Sequence, residues 1–225
     1  MLRSCPTLGA HNGTDKNSES SGNTITLIKT GAGGQMDIGG FAGLLQLTVG
    51  VEKCYSTSDI VVTVDLIDTS TVFQNYGGFA GCTEGSFTIE QCYAAGTITV
   101  ISEKNEYYHH FLGGFAGALR DGVTIKDCYA TGNVSIDRIN GPVVSGDGST
   151  DSGGFAGSMG AGSNTILRCF STGDVTLISN RYDGGSTGCL IGYVFSSNTI
   201  ENNVVFGGSV TIKTGLYGHN YGRVL

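Results

Sequence analysis

One pentapeptide, Gly-Gly-Phe-Ala-Gly, constrains this chain more than any other feature. It stands at 39–43, 77–81, 113–117 and 153–157, with starts 38, 36 and 40 residues apart. A degenerate copy, Gly188-Cys189-Leu190-Ile191-Gly192, begins 35 residues later, and Gly215-Leu216-Tyr217-Gly218 reads as a sixth start. A fixed period of this size marks a stacked repeat, whose single unit cannot bury its apolar face and must lie on its neighbours.

A second block follows each copy. Cys54-Tyr55, Cys92-Tyr93 and Cys128-Tyr129 lie 15 residues after the first glycine of their copy, and Cys169-Phe170 lies 16 after. Three residues ahead of each cysteine stands Val51, Ile89, Ile125 or Ile166. Six and eight residues beyond come Ile60 and Val62, Ile98 and Val100, Val134 and Ile136, Val175 and Leu177. These pairs have the period of two of a strand with one buried face. In the fifth copy Val210 and Ile212 keep that spacing from Val204, the cysteine is absent, and Ile200 implies a one-residue insertion.

Each repeat thus predicts a Gly-rich turn with a short apolar strand, a polar corner, a strand around Cys-Tyr, a glycine corner and a third strand. Gly96, Gly132 and Gly173 hold the glycine corner, as a positive φ would favour. With 38 glycines but no Gly-X-Y period the chain is not collagen-like, and at 39% hydrophobic residues it is too apolar for a disordered tract. The predicted fold is all-β: a parallel β-solenoid of about five stacked coils with variable loops on one side. A polar N-terminal cap or tail covers 1–21 and the repeat domain 22–225.

In-register stacking at about 4.8 Å makes columns of equivalent residues. Cys54, Cys92, Cys128 and Cys169 form an internal ladder. Tyr55, Tyr93, Tyr129 and Phe170 form a second on the opposite strand face. Phe41, Phe79, Phe115 and Phe155, with Leu190 and Leu216, form a third. The spacing permits disulfides, but ladder side chains point the same way and cysteine packs as a small hydrophobe. Buried thiols are therefore expected. Cys5, Cys82 and Cys189 fall outside the ladder, and seven cysteines leave at least one without an intrachain partner.

Between the third strand and the next glycine pair, the segments 65–76, 101–112, 137–152 and 179–187 vary in length and chemistry, as displayed inserts do. The segment with Glu103, Glu106, Tyr107, Tyr108, His109 and His110 is the richest. Its aromatics suit stacking on sugars, so Tyr107, Tyr108, His109 and His110 form a candidate ligand loop. Adjacent strand residues face opposite ways, which keeps the two histidines from sharing a metal.

Other chemical patterns in the chain fail on their context. Gly184-Gly185-Ser186-Thr187-Gly188 fits a nucleophile elbow, which needs a strand-turn-helix context that the β pattern denies. Asp147, Ser149 and Asp151 alternate as in a calcium loop, yet Ser152 and Ser158 stand where glycine and an acid are required. Glu90 and Asp127 are the candidates for a glycosidase pair, but they are out of register and form no repeated acidic row. Asn12 and Asn133 begin glycosylation sequons. No catalytic, cofactor-binding or metal residue is expected.

The net charge of −7 supplies no cationic footprint for nucleic acid. No apolar run reaches the roughly 18 residues of a spanning helix, so membrane insertion is not expected. The start, Met1-Leu2-Arg3-Ser4-Cys5-Pro6, lacks the apolar stretch of a signal peptide.

The frame resembles the GLUG repeat of bacterial surface proteins and adhesins. Gly114-Phe115-Ala116-Gly117 with Ile125-Lys126-Asp127-Cys128-Tyr129-Ala130-Thr131-Gly132-Asn133-Val134 carries the likeness best, together with Gly215-Leu216-Tyr217-Gly218-His219-Asn220. It covers roughly 22–222 and differs in having Phe where Leu is usual and in its longer inserts. The resemblance implies a non-enzymatic structural or adhesive module of an extracellular or cell-surface protein, and it transfers no catalytic residues. The chain opens on the later part of a repeat and closes on the first part of another. That suggests either end-to-end self-association into a fibre or flanking repeats of a longer chain. The runner-up reading is a glycan-binding or glycan-degrading β-helix, a polysaccharide lyase or hydrolase acting through its loops.

Overall fold

A computed structural model describes residues 15–16, 19–104, 106–138, 148–180, 184–195, 197–214 and 220–221. Every strand in it pairs in parallel with its equivalent one repeat away, as Gly39 with Gly77, Gly77 with Gly113, Gly113 with Gly153 and Gly153 with Gly188. One repeat is one coil. The described residues contain no helix, so none is long and apolar enough to cross a membrane. The chain is a parallel β-solenoid of about five turns.

Each coil has five strands rather than the three read from the repeat. In chain order they build sheet A ahead of the cysteine (Thr124–Lys126 in the fourth coil), sheet B after it (Tyr129–Ala130), sheet C (Val134–Arg138), sheet D (Thr150–Gly153) and sheet E (Ala156–Met159). The strand expected around Cys-Tyr is split at its cysteine into sheets A and B, and sheet D is the addition. Its strands Phe73–Gly77, His109–Gly113, Thr150–Gly153 and Ser186–Gly188 are the ends of the variable segments. The inserts are therefore partly wall.

Two cores run along the axis. Sheets E, A and B enclose one, packed with Phe79, Phe115, Phe155, Leu119, Ile89, Ile125 and the four ladder cysteines. Sheets C and D enclose the other, packed with Ile60, Val62, Ile98, Val100, Ile136, Leu112 and Tyr76. Between them sheets D and E meet at backbone distance. A Cβ on Gly117 of sheet E would lie 2.5 Å from the amide nitrogen of Tyr76 in sheet D and 2.5 Å from the Gly81 carbonyl oxygen. The last glycine of the pentapeptide thus lets the two lobes share a waist.

The other corner glycines work the same way, which corrects the expectation of a positive φ. Gly96, Gly132 and Gly173 are not among the positive-φ residues. A Cβ on Gly132 would run into the carbonyl oxygen of Gly96 in the coil beside it. The left-handed corner lies just ahead of the cysteine, at Lys53 (φ 56°), Gln91 (53°), Asp127 (55°), Arg168 (52°) and Asn202 (55°).

Register also moves two boundaries. Asp15–Lys16 and Glu19–Ser20 already pair into sheets A and B, so the first coil starts ahead of residue 22. Ile200 pairs with Ile166 and Val204 with Phe170. Asn203 therefore takes the cysteine position, and the extra residue of the fifth copy falls in the corner at Gly207-Gly208. At the far end Asn220 and Tyr221 pair with Ser186 and Thr187. Gly215, Leu216 and Gly222 lie outside the described residues, as do Cys5 and Asn12.

Candidate functional site

The ladders come first, because they hold everything else in register. The rings of Phe41, Phe79, Phe115 and Phe155 stack at centroid distances of 4.6, 4.8 and 4.9 Å within 10° of parallel. Each Phe amide donates to the Phe or Leu190 carbonyl of the next coil at 2.8–2.9 Å. On the outer face Tyr55, Tyr93, Tyr129 and Phe170 stack at 4.8, 4.9 and 4.9 Å.

The cysteine ladder has a reason beyond size. The left-handed corner ahead of each cysteine turns its amide out of the strand ladder, and that amide needs another acceptor. The Cys54 amide donates to Sγ of Cys92 at 3.4 Å and the Cys92 amide to Sγ of Cys128 at 3.3 Å. Each thiol in turn donates to the carbonyl two residues back, as Cys92 to Glu90 at 3.2 Å and Cys128 to Lys126 at 3.1 Å. Cysteine is thus a small side chain that both accepts and donates. Asn203 likewise accepts and donates at the end of the column, but across to the neighbouring coil: its Oδ1 accepts from the Cys169 amide at 2.7 Å and its Nδ2 donates to the Ile166 carbonyl at 2.9 Å. None of the six described cysteines is in a disulfide. Burial holds the Cys128 thiol well above its ordinary pKa and pushes Cys82, in sheet E, up to about 12.

The candidate ligand loop is split by the strand it joins. Tyr108 and His110 are fully buried in the second lobe, while Tyr107 and His109 are half-buried outside. Alternation along the strand from His109 sets the sides, so the four residues do not form one exposed surface. Inside, Tyr108 and His110 belong to a polar spine that sequence reasoning did not find. Asp68 accepts from the Gly33 amide at 2.5 Å, the Ser70 amide at 2.9 Å and the Tyr108 hydroxyl at 2.6 Å. These bonds, the Tyr108 hydroxyl's foremost, hold its carboxyl well below the usual range. Glu106 accepts from the Ser102 hydroxyl at 2.7 Å and the Tyr108 amide at 2.9 Å, and pairs with Arg138 at 3.2 Å. Arg138 also donates to the Thr150 hydroxyl at 2.9 Å. Both charges of this pair are buried, Glu106 at 1% and Arg138 at 2% exposure. The spine runs from Gly33 to Thr150 and ties the ends of three successive inserts to one another.

Outside, His109 joins a different group. The Phe73 ring, 41% exposed, lies 5.3 Å from the His109 ring and 5.7 Å from Phe111, with the Arg120 guanidinium over it at 5.4 Å. Arg120 pairs with Glu84 at 3.5 Å, and His109 Nδ1 lies 2.6 Å from the Ser149 hydroxyl.

The remaining candidates are occupied structurally. Glu90 is bridged by Lys126 at 2.9 Å, and Asp127 takes two bonds from Arg168 at 2.7 and 2.6 Å. The two acids face cations rather than each other. Ser186 opens a sheet D strand and its amide donates to Asp151 at 2.8 Å. Asp147 lies outside the described residues. Asn133 accepts from the Asp174 amide at 2.9 Å. Among the described residues no cluster of His, Cys, Asp and Glu has the makings of a metal centre.

No curated protein and no solved structure matches the chain. A family model does: residues 74–99 match the GLUG motif, a stretch running from one sheet D strand through Gly77-Gly78-Phe79-Ala80-Gly81 and Cys92-Tyr93 into the next sheet C strand. The likeness read from the repeat frame thus holds where the model matches: the β-solenoid carries a GLUG motif at residues 74–99.

Proposed function

We propose that this chain is a non-enzymatic structural and adhesive module of an extracellular or cell-surface protein, and that it stacks end to end into a fibre. The observation that carries the proposal is the pair of edge strands in sheet C, Thr24–Lys29 at one end and Val210–Thr214 at the other. Ile25 and Leu27 on the first edge and Ile212 on the second occupy the columns that are fully buried in the middle coils, yet they are only partly covered. The edges present the same alternation in parallel orientation, so a second copy laid on the first continues both the hydrogen-bond ladder and the apolar columns. The likeness to surface-protein repeats supports the location.

The test is native mass against concentration by light scattering, with electron microscopy of the same sample. Filaments, or a mass that grows without limit, support head-to-tail stacking. A monomer at every concentration rules it out.

A second reading rests on the Phe73 cluster. An exposed aromatic face beside a guanidinium, a carboxylate and an imidazole is the chemistry that grips a sugar ring. Binding to a panel of neutral and acidic oligosaccharides, lost in Phe73→Ala, supports a glycan-binding wall. Release of reducing or unsaturated ends from the same panel supports an enzyme and overturns the non-enzymatic reading.

A further inference from the structure

The second lobe contains more polar groups than its own side chains can satisfy. Tyr76 is completely buried, and its hydroxyl has no hydrogen-bond partner in the protein. His110 is completely buried too, and neither ring nitrogen makes a hydrogen bond. Its Nε2 lies 3.3 Å from Glu106 Oε2 without meeting hydrogen-bond geometry. Gln74 donates its amide to the Gly34 carbonyl at 3.1 Å, but its Oε1 is left over.

These groups are neighbours. Gln74, His110 and Thr150 occupy one column of sheet D. Tyr76 stacks on His110 with centroids 6.0 Å apart and planes 15° from parallel. The charges of Glu106 and Arg138 are close enough to bear on the Tyr76 hydroxyl, which burial holds far above its usual pKa. Opposite stands the sheet C column Ser102, Arg138 and Ser179.

A buried donor or acceptor with no partner costs about 1–3 kcal/mol, and three residues carry such atoms within two adjacent coils. Buried polar groups in native proteins are paired with protein or with ordered water. A buried water needs two to four polar partners, and this wall offers a phenol, an imidazole and an amide oxygen. Glu106 and Arg138 already offset each other, so a neutral ligand fits better than an ion. We propose that the C–D lobe is a hydrated lumen, in which ordered water bridges Tyr76 Oη, the His110 imidazole and Gln74 Oε1 between the second and third full coils. The E–A–B lobe has one such atom among the described residues, the Thr83 hydroxyl in the Leu45 and Leu119 column, too few to anchor a water, and stays dry.

A high-resolution crystal structure of the full chain tests this, together with thermal unfolding of Tyr76→Phe. The expected result is water density within hydrogen-bond distance of Tyr76 Oη and of a His110 nitrogen, and a lower midpoint for Tyr76→Phe, which removes an anchor of that water. An empty lumen at this place overturns the proposal. So does a raised midpoint in Tyr76→Phe, because deleting an unsatisfied hydroxyl relieves the fold while deleting a bridged one weakens it.

Discussion

The two lobes share one backbone, one coil length and one waist, yet they are held together in different ways. The E–A–B lobe repeats like side chains through its middle coils: Phe on Phe, Cys on Cys, Ile89 on Ile125 on Ile166. The C–D lobe has repeated apolar columns only in sheet C. Its sheet D wall changes at every coil, from Gln74 to His110 to Thr150, and its polar atoms are joined by a spine specific to these coils. Repetition gives the first lobe a core in which no single coil matters more than another. The second has a particular polar arrangement that depends on a few residues. The cost of a substitution should therefore follow chemistry in the first lobe and partnership in the second.

The sharpest break is Phe115→Asp. Truncating a buried phenylalanine costs about 3–5 kcal/mol, and this variant also places an unpaired carboxylate between the rings of Phe79 and Phe155. The expected outcome is loss of the cooperative thermal transition followed by circular dichroism. A variant that melts like the parent would mean that the phenylalanine column does not carry the first lobe.

Next is the second lobe's ion pair. Glu106→Ala leaves the Arg138 guanidinium buried without its carboxylate, which costs about 3–5 kcal/mol. The double variant Glu106→Leu with Arg138→Met removes both charges and should recover most of that loss, or exceed the parent by about 1–4 kcal/mol. Denaturant unfolding of the single and double variants reads the difference. If the double is as unstable as the single, the pair serves through shape rather than charge, and the contrast between the lobes weakens.

The same contrast explains what the sequence revealed. The first lobe was legible because identical residues recur at fixed spacing and stacking converts spacing into columns. Sheet D was not, because Phe73–Gly77, His109–Gly113, Thr150–Gly153 and Ser186–Gly188 share no side-chain pattern, only the glycine at their ends. The alternation Tyr107, Tyr108, His109, His110 carried the one usable signal, since a strand there sends Tyr108 and His110 to one side. Asn203 was hidden for another reason. It replaces a thiol by a carboxamide that also accepts from an amide and donates to a carbonyl, and no hydropathy pattern relates the two.

Acid should also separate the lobes. Asp68 binds protons less readily in the folded chain than in the unfolded one, because the Tyr108 hydroxyl and the Gly33 and Ser70 amides favour its charged form. Its contribution is therefore complete above the ordinary carboxylate pKa and is lost as pH falls below it. Stability measured from neutral pH downward should decline through the carboxylate range. The Asp68→Asn variant should start less stable and decline less steeply. An unchanged slope would place the acid sensitivity elsewhere than the spine.

The smallest effect belongs to the outer corners, where charge pairs decorate the first lobe. Arg168 holds Asp127 through two hydrogen bonds and lowers its carboxyl's pKa, but both groups lie at the surface, where water screens the attraction and ordering long side chains offsets it. Arg168 also occupies the left-handed corner, so truncation to alanine would mix lost charge with backbone strain. Asn tolerates that conformation better, which makes Arg168→Asn the cleaner test of the pair. Its midpoint should stay within about 2 °C of the parent, and added salt should change neither protein differently. A larger, salt-sensitive drop would mean that the corner pairs help to fix the register of the coils, a task that the buried ladders otherwise perform through identical side chains stacked from one coil to the next.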